Sequence, residues 1–129
     1  MNIKTLIPKD KCDFETVEKL KKCSFEEIEP IIPDLFEWLQ DMNWAISRPI
    51  AELLIPFSEK ISSEILKILQ SEDQVWKYWI LITFGEIIKD KMVLDEIERI
   101  VKNPTKGEID EEVFEIAKEI INTKPFNSF

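Results

Sequence analysis

Trp38, Trp44, Trp76 and Trp79 make four tryptophans in a chain of 129 residues, and charged or amide side chains are interleaved with them. Tryptophan offers a large, rigid apolar surface with one N–H donor, and with arginine it is enriched at binding hot spots. Trp38 and Trp79 have apolar neighbours at helical spacing, which predicts core positions. Trp44 follows Asp41 and Asn43, and Trp76 follows Asp73, at expected helix starts. Asp41, Asn43, Trp44, Arg48, Glu52, Asp73, Trp76 and Lys77 therefore form the candidate binding set, gathered at the beginnings of two successive helical runs. If those runs stack as equivalent repeats, the set lines one edge or the concave face, where helical stacks hold extended partners. The structural alternative has Asp41, Asn43 and Asp73 capping or flanking helices, while Arg48 and Lys77 pair with carboxylates. Lys77, between Trp76 and Tyr78, needs a partner if it is buried; without one it becomes a neutral, reactive amine.

Catalytic equipment is sparse. The chain has no histidine, which removes Ser-His-Asp and Cys-His arrangements. It has no phosphate-cradling glycine loop, zinc-protease motif or calcium loop. Carboxylates are too abundant to single out a catalytic pair. Glu26-Glu27-Glu29, Asp95-Glu96-Glu98 and Glu108-Asp110-Glu111-Glu112 read as solvated helix faces or favourable first turns. Cys12 and Cys23 lie eleven positions apart with no Cys-x-x-Cys motif, a poor metal site. They read as free, reduced thiols of a cytoplasmic protein, although spacing alone leaves a disulfide open. No metal or other cofactor is expected.

The formal charge of −9 and pI of about 4.6 oppose binding to nucleic acid or to an anionic membrane surface. They suit a basic protein partner or a cation, and they also serve solubility. Lys9-Asp10-Lys11 interrupts the N-terminal stretch before a signal peptide's apolar run develops. The longest apolar-rich stretch, residues 75–88, is broken by Lys77 and Glu86 and is too short for a membrane span.

The elements that would position these residues are helical throughout. Two glycines are too few for the turns of a β-sandwich or for a doubly wound nucleotide-binding fold. Phe14, Val17 and Leu20 mark a first helix, and Ser24-Phe25-Glu26-Glu27 is a capping box. The helix it opens ends near Pro30, and Pro33 starts another that carries Leu35, Trp38, Leu39 and Met42 on one stripe. Asn43 is expected to cap a helix bearing Ile46, Ile50, Leu53 and Leu54, which Pro56 closes. Ile61, Ile65, Ile68 and Leu69 form the next, and Ser71-Glu72-Asp73-Gln74 reads as a second capping box. Residues 75–82 follow, apolar on nearly every side, which predicts a helix covered on several faces at the domain's centre. Asp90 caps a helix with Leu94, Ile97 and Val101, and residues 103–107 read as the clearest loop. Val113, Ile116, Ala117, Ile120 and Ile121 complete the last helix. The tail 123–129 breaks the pattern and either frays or folds back through Phe126 and Phe129.

A polar cap, a β-branched residue and a dense apolar run recur near Ile46, Val75 and Val113, at intervals of 29 and 38 residues. That spacing is near the period of helix-pair repeats. The expectation is a single all-α domain over 1–129, a short irregular α-solenoid of HEAT-like antiparallel helix pairs.

Five segments carry a resemblance: residues 8–15 (Pro8 to Glu15), 38–44 (Trp38 to Trp44), 50–57 (Ile50 to Phe57), 75–81 (Val75 to Leu81) and 103–105 (Asn103 to Thr105). Together they resemble a bacterial family of unknown function, the uncharacterised domain numbered 5071. The resemblance covers nearly the whole chain and implies a HEAT-like helical solenoid with no established activity. It leads one to expect histidine at Cys12 and proline at Ala45, and the missing histidine weakens any metal or acid–base role for the N-terminal motif. The functional expectation is a protein-interaction module, in its sharpest form an immunity-type inhibitor of a basic partner. The alternatives are a small-ligand binder or enzyme with a pocket near Trp44, Arg48, Asp73 and Lys77, and a structural scaffold subunit.

Overall fold

A computed structural model describes residues 2–123. Among them no strand occurs and the chain is helical. It divides into two compact units, Met1–Phe57 and Ser58–Phe129.

In the first unit a 3-10 turn, Ile3–Leu6, precedes α1 (Phe14–Leu20). Asp13 caps α1 by accepting the Thr16 N–H and hydroxyl, and its other contact, the Lys9 N–H, folds the preceding loop onto it. The expected capping box opens α2 (Phe25–Ile28), with Ser24 and Glu27 bonded reciprocally. α2 ends two residues before Pro30, as expected, and the chain stays helical in character beyond it. A 3-10 turn, Glu29–Ile31, carries it into α3 (Ile32–Glu37), because Pro30 and Pro33 both fall in first turns, where no N–H is missed. α3 stops at Glu37, so Trp38, Leu39 and Met42 lie beyond it in a turn-rich segment instead of on a longer helix. α4 (Ser47–Leu54) runs into a 3-10 turn at Ile55–Phe57, where Pro56 removes the next donor. Leu20, Ile28, Leu35, Phe36, Leu39, Ile46, Ile50 and Leu54 are all fully buried.

In the second unit α5 (Ser62–Leu69) packs on α6 (Gln74–Phe84) and α7 (Lys91–Lys102). After α8 (Lys106–Asp110), α9 (Val113–Thr123) packs on α6, α7 and α8. Asp90 caps α7 as expected, through the Val93 N–H. The Ser71–Gln74 capping box does not form. Asp73 caps α6 alone, accepting the Trp76 N–H, while the Ser71 hydroxyl donates to the Ile68 carbonyl. The loop expected at 103–107 is shorter, since Thr105 and Glu108 form a true capping box and Lys106 and Gly107 are already helical. α6 does not have the all-round cover predicted for it. Lys77, Ile80, Leu81 and Phe84 make one buried stripe, whereas Val75 and Ile82 are about half exposed. Gly85 ends α6 where a Cβ would lie 2.2 Å from Ile120 Cδ1, so the α6–α9 approach depends on glycine there. The expected roles of Phe126 and Phe129 fall outside the described residues.

Between α8 and α9, Glu112 has φ of 66°, the one positive φ of a residue other than glycine among the described residues. A side chain in the left-handed region crowds its own carbonyl at a cost of about 1–2 kcal/mol, partly offset by the lower unfolded-state entropy of a non-glycine residue. Glu112→Gly should therefore stabilise by about 0.5–1 kcal/mol, raising Tm by roughly 2–4 °C. Calorimetry checks this, and an unchanged or lower Tm would mean the Glu112 side chain contributes more than its strain costs.

Candidate functional site

The segment between α3 and α4 is held from inside. The buried Ser47 hydroxyl, at the first turn of α4, lies in hydrogen-bond contact with the Trp38 carbonyl and, at 2.9 Å, with the Asp41 carbonyl. The Trp38 carbonyl would otherwise lack a donor, because α3 has already ended, whereas the Asp41 carbonyl also accepts the Trp44 N–H at 3.2 Å. Asp41 Oδ1 accepts the Asn43 N–H at 2.9 Å, closing a local turn. The Ile46 N–H donates to the Lys11 carbonyl at 3.1 Å, which ties the N-terminal motif to the same segment. Asn43 is consequently not the expected N-cap: Ile46 takes that position with no side-chain cap bond, and Asn43 is exposed.

This scaffold presents two tryptophans to solvent. Trp38, expected in the core, is half-buried, and its ring meets that of Trp44 edge-to-face, with centroids 5.6 Å apart and planes at 74°. Arg48 and Glu52 follow Trp44 at successive four-residue steps, and both are exposed. Elsewhere such steps close ion pairs, as in Lys91–Asp95 at 2.9 Å and Lys106–Asp110 at 2.6 Å. Arg48 and Glu52 do not pair, and neither has an ion partner among the described residues. The same holds for Glu29, Asp34, Glu37 and Asp41. From Cys23 to Phe57, Arg48 is the sole basic residue against seven acidic ones, so this part of the unit carries a concentrated negative charge.

The other half of the candidate set behaves differently. Lys77 is 2% exposed and fully engaged: its ammonium donates to Glu108 Oε2 at 2.7 Å and to the Ser71 carbonyl at 3.1 Å. Glu108 has no solvent exposure. Arg99 grips both of its oxygens, at 2.8 and 2.7 Å, and also pairs with Glu96. The Thr105 N–H supplies a further bond at 2.8 Å. Burial works against the charged form of Glu108, yet Arg99, Lys77 and the Thr105 N–H outweigh it and bring its pKa from 4.5 down to about 2. The two carboxylates raise Arg99's pKa further still, mainly by hydrogen bonding. With its donors engaged by Glu108 and Ser71, Lys77 is held as an internal ion-pair partner instead of being presented to a ligand.

The eight predicted residues thus divide. Asp41, Asn43, Trp44, Arg48 and Glu52 belong to the first unit and share one short stretch of it. Asp73, Trp76 and Lys77 belong to the second, where Asp73 is a cap, Trp76 is half-buried and Lys77 is internal. Sequence reasoning missed three partners. Glu108, grouped with solvated acids, is buried, and Thr105-x-x-Glu108 was the available signal for it. Arg99 carried no signal of its own, and neither did Ser47. Cys12 is exposed, Cys23 half-buried, and both thiols are free. Among the described residues no cluster of three or more ligating side chains could hold a metal ion, and no helix is long and apolar enough to cross a membrane.

The family model for a domain of unknown function, DUF5071, matches residues 6–121. The chain belongs to this family. The match takes in both the Trp38–Trp44 segment and the Lys77–Arg99–Glu108 cluster, so DUF5071 spans both units. No curated protein matches the chain.

Two outcomes follow from the buried cluster. Glu108→Ala strands Lys77 without its carboxylate and should cost about 3–5 kcal/mol. Lys77→Met leaves Glu108 gripped by Arg99 and should cost less than about 2 kcal/mol. Urea unfolding at constant m-value measures both, and a larger loss for Lys77→Met than for Glu108→Ala would mean that Lys77, not Glu108, organises the cluster. The second outcome concerns acid. Because the folded pKa of Glu108 lies below its unfolded value, its contribution is complete above about pH 4.5 and fades as pH falls towards 2. The difference corresponds to about 3 kcal/mol, so Glu108→Gln should show a visibly flatter loss of stability over that window than the parent.

Proposed function

We propose that the protein is an interaction module that binds a basic protein through the acidic, tryptophan-bearing surface of its first unit. The observation carrying this reading is the half-buried Trp38–Trp44 pair beside charged residues that have no ion partner among the described residues. Rigid aromatic anchors with a polar surround are the usual composition of a binding hot spot. Unpaired carboxylates add steering and selectivity for a positively charged surface. An inhibitor of immunity type, neutralising a basic effector, is the sharpest version of the proposal. The HEAT-like arrangement belongs to it as well: the Gln70–Asp73 connection between α5 and α6 is short, as antiparallel helix pairs require.

The alternative of a small-ligand or catalytic site at Trp44, Arg48, Asp73 and Lys77 has less support, because the Lys77 ammonium is spent on Glu108 and Ser71. A scaffold subunit is not favoured by any particular contact.

Affinity capture from lysate at low and moderate salt tests the module. The expected result is one stoichiometric basic protein, weakened by salt and lost with Trp44→Ala or Glu52→Lys, while both variants retain the parent's circular dichroism. Capture that is indifferent to both substitutions would place the interface elsewhere on the chain.

A further inference from the structure

We propose that the corner between the Trp38 and Trp44 rings seats an arginine side chain of the partner, so that the recognised element is an exposed arginine-bearing segment. This rests on the interaction reading above and specifies its central contact. The two rings stand at 74° with centroids 5.6 Å apart, which gives two walls meeting nearly at a right angle. A planar guanidinium stacks on one wall while its N–H edge meets the other. The negative faces of indole rings attract a cation, and tryptophan does so best among the aromatic residues.

Charge around the corner agrees with that occupant. Asp41 lies between the two tryptophans in sequence, and only its Oδ1 is used, by the Asn43 N–H. Asp34 stands one helical turn before Trp38 and Glu37 immediately before it, and neither has an ion partner among the described residues. Arg48 is the one basic residue in the 23–57 stretch, Lys11 approaches that stretch through the Ile46 contact, and the carboxylates outnumber the two. Arginine is preferred to lysine here because the rings remain half-open to water. A guanidinium is weakly hydrated and stacks flat, whereas an ammonium must give up a tightly held water shell to approach the same surface. Preorganisation favours binding too: the Ser47 hydroxyl and the Asp41–Asn43 turn fix the backbone that carries both rings before any partner arrives.

The test uses the full chain, labelled with nitrogen-15. The four indole N–H signals are assigned with Trp38→Phe and Trp44→Phe. The probes are acetyl-Gly-Arg-Gly-Arg-Gly-amide and its lysine and glutamate counterparts. The expected result is saturable movement of the Trp38 and Trp44 indole signals alone, with the arginine peptide at least threefold tighter than the lysine peptide and the glutamate peptide silent. Trp44→Leu should weaken the arginine peptide at least tenfold, whereas Trp44→Phe, which keeps an aromatic wall and serves as the folded control, should lose less. Equal arginine and lysine affinities, with shifts confined to backbone signals of charged residues, would overturn the arginine seat and leave the acidic docking surface standing. No shift anywhere in residues 29–52 with either cationic peptide would overturn both.

Discussion

A carboxylate with no access to water has to be satisfied entirely by the protein, and in the second unit that carboxylate is Glu108. Its two oxygens receive Lys77 from α6, Arg99 from α7 and the Thr105 N–H at the start of α8. Three segments distant in sequence are thereby fixed around one point. Hydrophobic contact is non-directional and tolerates small slides of one helix over another. A bidentate guanidinium and a buried ammonium do not, since a displacement of about an ångström leaves charge unpaired in a poorly solvating interior. Gly85, pressed against Ile120, and the apolar stripe of α6 complete the packing whose register this cluster sets.

A neutral version of the same device operates in the first unit. α3 ends at Glu37 and α4 begins at Ser47, and the nine intervening residues would be an ordinary flexible connection if their carbonyls faced water. Ser47 prevents that by reaching back from α4 to the carbonyls of Trp38 and Asp41. The consequence is unusual for tryptophan. Two rings are held in a defined mutual geometry on an irregular segment, with part of each left uncovered. In a regular helix, Trp38 would have joined the buried stripe with Leu35 and Leu39, as its spacing suggested.

Helix existence was legible in the sequence because it rests on local chemistry: apolar periodicity, the Ser24–Glu27 box, and the Asp13, Asp73 and Asp90 caps all act within four residues. What was not legible depends on partners far along the chain. Lys77 and Glu108 are 31 positions apart, and nothing near Glu108 marks it as different from the solvated acids at 110–112 except Thr105 three residues earlier. The end of α3 was hidden for a related reason. Leu35, Trp38, Leu39 and Met42 keep helical spacing, but Ser47, nine residues after Trp38, captures the carbonyl that a longer helix would have used. At Asn43 the side-chain type suggested a helix cap, but Asp41 supplies the acceptor and Asn43 lies in a turn before the helix starts. The five first-unit site residues lie close together because they are close in sequence; the three second-unit residues were added by an assumption of repeat equivalence.

The difference between the two units is one of how charge is used. In the second, the conspicuous lysine among aromatics is consumed by folding, and most of the exposed charges on α7 and α8 close onto neighbours one turn away. In the stretch from Glu29 to Glu52 charges are present at suitable spacings and remain open. Open carboxylates side by side repel one another and lower stability slightly, and a half-buried pair of tryptophans forfeits part of its apolar burial. Neither feature helps the unit to fold. Under the proposed binding both costs would be recovered, because a cationic surface would neutralise the repulsion and cover the rings in the same event. That asymmetry is why the interaction reading rests on the first unit: its charges and rings remain available to a partner, while those of the Glu108 cluster are already satisfied.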